Sequence, residues 1–102
     1  MRQTLELPAE LTIYTASSTR ADWQAWLSSP DRDRAAPLLI DAARVEDVDG
    51  AGLQLFGALL RSLREQSLTW QVAAPSIALQ DACRVLGCSD WLNPGNAEAQ
   101  PV

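Results

Sequence analysis

The sequence predicts a single α/β domain, in which a mixed, mostly parallel sheet of four to five strands packs with three to four helices. Three observations carry this. Short segments with the two-residue period of strands alternate along the chain with segments of helical period, the order that strand-crossover-strand units produce. Leu38-Leu39-Ile40 is continuously apolar and too short for a helix, so it reads as the central strand, covered on both faces. After Asp49, a segment running to about Gln66 sets Leu53, Phe56, Leu59, Leu60 and Leu63 on one side of a 3.6-residue wheel and Arg61, Arg64 and Glu65 on the other.

The elements follow in order. Thr4–Leu7 and Glu10–Tyr14 alternate polar with apolar and are separated by Pro8-Ala9, which predicts two short strands joined by a turn. Ser17, Ser18 and Thr19 offer N-cap oxygens for a first helix, in which Trp23, Trp26 and Leu27 recur at helical spacing until Ser28-Ser29-Pro30 ends it. Asp31-Arg32-Asp33-Arg34 is a solvated mixed-charge loop. The central strand then closes on Asp41, and an acidic turn leads to Asp49, whose carboxylate suits the free N–H groups and positive dipole end of the second helix. Thr69–Ala73 is the next strand. Ala74-Pro75-Ser76 opens a third helix carrying Leu79, Ala82, Cys83 and Leu86 as its apolar stripe, and Gly87 stops it. Trp91 and Leu92 fold back onto the domain. The domain occupies residues 1–92, and residues 93–102, rich in Pro, Gly and small polar residues, form a flexible C-terminal tail.

Composition removes several function classes. The chain of 102 residues has no stretch of about 18 apolar residues, and its first residues lack a secretory h-region, so it is expected to be soluble and cytoplasmic without direct membrane insertion. Eight basic residues, all Arg, stand against thirteen acidic ones, and the resulting net charge of −5 disfavours nucleic acid as a partner. With no His, and with Cys83 and Cys88 in no ligand spacing, neither a metal site nor a cofactor is expected. Nucleophilic catalysis lacks its usual base. Cys83 lies on an apolar stripe and reads as core, whereas Cys88 reads as more open. The carboxylates Asp41, Glu46, Asp47 and Asp49 fit no calcium loop and serve as strand-end and helix-cap groups. Gly50-Ala51-Gly52 lacks the lysine of a phosphate-binding loop and reads as a tight turn with close backbone approach. Ala51, Leu55 and Ala58 form a second apolar line at the edge of the second helix: either a neighbouring element covers it, or it is free to dock a partner.

The stretch from Asp41 to Leu53 resembles the signature of STAS domains, the sulfate-transporter and anti-sigma-factor-antagonist family. Asp41 matches the strand-end Asp, Asp49 the Asp of the second motif, and Gly52-Leu53 the Gly-Leu that follows. Gly50 and Ala51 fall where the family usually carries hydroxyls, so the resemblance implies that the phosphoacceptor is missing. It further implies a non-catalytic protein-binding module whose contact surface is the loop before the second helix and that helix's first turns. On this chain that surface is Asp49, Gly50, Ala51, Gln54, Leu55 and Ala58, with Asp41, Asp49 and Gly52 setting the turn. Gly52 to Leu55 and Leu7 to Tyr14 are similar to small single-domain members associated with bacterial chemotaxis signalling. The expected function is therefore a cytoplasmic regulatory adaptor, chemotaxis-associated or anti-sigma-antagonist-like. The alternative is an accessory subunit that binds the ATPase of a lipid-transport ABC system, whose members usually keep a Thr where Gly50 stands. The expected partner is a protein, whether a signalling protein, an anti-sigma kinase or an ABC ATPase, and homodimer formation stays open.

Overall fold

The computed structural model describes residues 3–29 and 38–92, so the charged run at 31–34 and the tail at 93–102 lie outside the described residues. The five strands are β1 (Gln3–Glu6), β2 (Glu10–Leu11), β3 (Leu38–Asp41), β4 (Asp47–Val48) and β5 (Trp70–Ala73). The helices are α1 (Ala16–Leu27), α2 (Gly50–Glu65) and α3 (Ile77–Val85), followed by a 3-10 turn at Ser89–Leu92. The strands form a three-stranded sheet, β1-β3-β5, and a two-stranded one, β2-β4, with every pairing parallel. β3 is central. β4 is an element that the sequence reading took as part of the acidic turn, because two residues carry no periodicity to read.

Register decides which face is buried. Leu5, Ile40 and Val72 stand side by side, as do Leu38 and Trp70, and all five are buried on one face. Their neighbours Thr4 and Gln71 are exposed on the other face, and Leu39 between them is half-buried. The expectation that the central strand is covered on both faces is therefore corrected: among the described residues the helical cover is one-sided. An apolar residue at Leu39 makes the triplet look doubly buried when only Leu38 and Ile40 enter the core.

Against this face α2 buries Leu53, Phe56, Leu59, Leu60 and Leu63, each at 4% exposure or less. Burial of side chains of this size contributes roughly 1.5–3 kcal/mol each. Trp23 and Trp70 join the core, while Trp26 and Trp91 pack on its margin, the latter edge-on to Phe56 with ring centroids 6.1 Å apart. The Arg64 guanidinium covers the Trp70 ring at 5.8 Å. The enclosed indole N–H of Trp70 meets no acceptor among the described residues.

Three boundaries differ from the sequence reading, each for a local reason. β2 stops at Leu11 because Thr12 and Thr15 offer the backbone competing bonds: the Thr12 amide donates to Thr15 Oγ1 at 3.2 Å, the Thr15 hydroxyl donates to the Glu10 carbonyl at 2.9 Å, and the Thr15 amide donates to the Thr12 carbonyl at 3.1 Å. Residues 13 and 14 thus sit in a turn with their side chains 60% and 89% exposed. Ser17, Ser18 and Thr19 lie inside α1, whose first flanking residue, Thr15, makes no side-chain cap bond. Leu86 is exposed because α3 unwinds there into Gly87, at a φ of 75° that suits glycine; the Cys88 amide then donates to the Cys83 carbonyl at 2.8 Å, and Cys88 takes the buried place instead.

One close approach positions the rest of the domain. A Cβ at position 52 would overlap the Leu11 carbonyl, so α2 can lie this near to β2 only with glycine there. Gly52→Ala is expected to destabilise the protein by about 3 kcal/mol or more in urea unfolding, whereas Gly50→Ala, with no atom within 4 Å of the new methyl, leaves the midpoint nearly unchanged.

Candidate functional site

The strand-to-helix corner is built around one carboxylate. Asp49 has extended backbone and caps α2, its Oδ1 accepting from the Gly52 amide at 2.9 Å. Its Oδ2 accepts from the Ile13 amide at 3.0 Å, thirty-six residues away in the β2–α1 turn. The Asp49 amide donates to the Leu11 carbonyl at 3.2 Å. These two segments are thus stitched from both sides. The Ile13 amide, then the Gly52 amide, hold the Asp49 carboxyl below its ordinary value of 3.8, against the opposing effect of partial desolvation.

Asp41 ends β3 and turns the chain by accepting from the Ala43 amide at 3.1 Å. Asp41, Glu46, Asp47 and Asp49 do not converge: among the described residues no three His, Cys, Asp or Glu groups come together to hold a metal ion. Gly50 is exposed, and a side chain there would enter open space. Position 50 is thus accessible and carries no side-chain oxygen. Ala51 is half-buried beside it.

Ala51, Gln54, Leu55 and Ala58 line a groove of ≈ 530 Å³ between α1 and α2, floored by Trp23, Leu27 and Leu59. Its far wall is Ala16, Ser17, Arg20 and Gln24 of α1. The structure therefore brings four of the six expected contact residues to one groove, and Asp49 and Gly50 to the corner beside it. The sequence reading missed the α1 wall, although Ser17, Arg20, Gln24 and Leu27 recur at helical spacing. That signal marked a face without saying what lies opposite it. It also missed the Ile13 bond to Asp49, for which no local pattern exists.

Cys88 is the more open of the two thiols, at 8% exposure against 0% for Cys83, but both are buried, because the turn at Gly87 folds Cys88 inward beside Cys83. Burial, reinforced by Cys88 and Asp90, pushes the Cys83 thiol up to about 12, so it holds its proton at neutral pH.

The chain belongs to the STAS domain family: the family model described as "Mlab, STAS domain" matches residues 2–94. STAS domains are protein-interaction and regulatory modules, generally non-catalytic. Among solved structures the chain is similar to the crystal structure of a sulfate transporter family protein from Wolinella succinogenes. The likeness has a TM-score of 0.68 at 14% identity and covers 89% of this chain and 70% of that one. Such a likeness establishes the fold. No curated protein matches the chain. Among the described residues no helix is long and apolar enough to cross a membrane.

Because the folded state lowers the Asp49 pKa, its stabilising effect is present above the unfolded value and is lost as pH falls through the folded one. Asp49→Asn should lower the melting temperature at neutral pH, and the gap from native protein should narrow as the pH is taken down through and below 3.8. A gap independent of pH would contradict the charged double cap. Native Cys83 and Cys88 should react with a thiol reagent only on the timescale of unfolding, and both at once in denaturant.

Proposed function

We propose that this protein is a non-catalytic docking module, a regulatory adaptor of bacterial signal transduction that binds its protein partner through the Asp49 corner and the adjoining face of α2. The observation that supports the reading is the accessible, hydroxyl-free start of α2 next to an open apolar groove. Asp49 fixes the turn, Gly50 and Ala51 allow close approach, Gln54 supplies hydrogen bonds, and Leu55 and Ala58 supply apolar contact. The phosphorylation switch of other members is absent on this reading, so binding is controlled by the supply of partner.

The match to the family model described as Mlab favours a second reading of the same surface, an accessory subunit that binds the ATPase of a lipid-transport ABC system. Both readings place the protein in the cytoplasm. They separate on what is bound: chemotaxis or anti-sigma components for the first, an ATPase for the second.

Leu55→Arg, a change on a half-buried position, should remove the specific partner from an affinity capture while leaving the circular dichroism spectrum intact. Retention of the full partner set by this variant would overturn the surface. Incubation with kinase-type anti-sigma factors and ATP should leave Gly50 and Ala51 unmodified. Gly50→Ser, which has room for its hydroxyl, should restore phosphorylation at most in part.

A further inference from the structure

The groove beside the Asp49 corner carries a charge pattern that the proposed docking surface does not use. Its lining residues include one cation, Arg20, and no carboxylate, in a chain whose net charge is −5. Arg20 is exposed and forms no ion pair among the described residues, and the nearby Asp22 lies on a different side of α1 with Thr19 and Trp26. The groove extends from Ala16 to Leu27 on one wall and from Ala51 to Ser62 on the other, about 16 Å, or three turns, at the helical rise. Because β2 and β4 pair in parallel and lead directly into α1 and α2, the two helices start at the same end, and the walls run side by side.

Resting on the docking function above, we propose that this groove receives an amphipathic helix of the protein partner, laid along α1 and α2 with a carboxylate set opposite Arg20. The small side chains of Ala16, Ser17, Ala51 and Ala58 let a third helix come close, and the half-buried Leu27 and Leu55 meet its apolar stripe. An extended segment is disfavoured, because it would hold its N–H and C=O groups over this apolar floor, whereas a helix closes its own bonds. A second copy of the chain fits poorly. The groove's own lining offers no carboxylate to set opposite Arg20 if two copies pair groove to groove.

The test is selection from a displayed library of helix-patterned peptides on the native protein. Enriched sequences should carry apolar residues at i, i+3, i+4 and i+7 with Asp or Glu fixed at one position. Binding of a synthesised winner should fall at least about tenfold on Arg20→Glu and recover when the peptide's own acid is changed to Lys. Circular dichroism of the variant checks the fold. No enrichment, winners without a fixed acid, or equal binding to Arg20→Glu overturns the helical, acidic partner. In the last case, loss of binding on Leu55→Arg keeps the docking surface, and unchanged binding to both variants removes the surface as well.

Discussion

The two oxygens of the Asp49 carboxylate act on different parts of the chain, and the arrangement of the domain depends on that division. One oxygen holds the first turn of α2, and the other holds the turn that leads into α1. With the Leu11 carbonyl pressed against Gly52, this leaves little freedom in how the two helices start. A carboxylate is well suited to the task, since it accepts from several directions and carries the charge that a helix N-terminus favours.

The groove is a consequence of that anchoring. Two parallel strands feed two helices from one end, and the groove between those helices is lined by Trp23, Leu27 and Leu59 at its floor and by Ala16, Ser17, Ala51 and Ala58 among its rim residues. At the mouth of the groove Gly50 and Ala51 carry only hydrogen and methyl, which keeps the backbone approachable and offers no oxygen to a phosphate. Regulation by added charge would act here against Asp49, already ionised and already committed to two amides.

Reading the sequence recovered the order of elements apart from β4, the apolar stripe of α2, the Asp49 cap, the opening of α3 at Ala74-Pro75-Ser76 and the stop at Gly87. All of these rest on residues within about seven positions of each other. It failed where a local pattern pointed two ways. Glu10–Tyr14 alternates like a strand, yet Thr12 and Thr15 turn the chain, and Ile13 is taken by a carboxylate far along the sequence. Leu86 continues a helical stripe but lies where the helix ends, so Cys88 fills the space instead. Of the site, the α2 half was legible because the family motif and the helical wheel both mark it; the α1 half was a stripe without a counterpart.

The sequence by itself determined that an acidic residue would cap a glycine-rich helix start lacking hydroxyls, because capping and side-chain chemistry are properties of neighbours in the chain. Only the tertiary structure decided that the sheet is covered on one face, that the cap also holds a distant turn, and that Arg20 lines the same groove as Leu55 and Gln54. Those outcomes depend on which segments are paired and at what register, and the pairing is set by long-range backbone bonds and by the space a missing Cβ leaves.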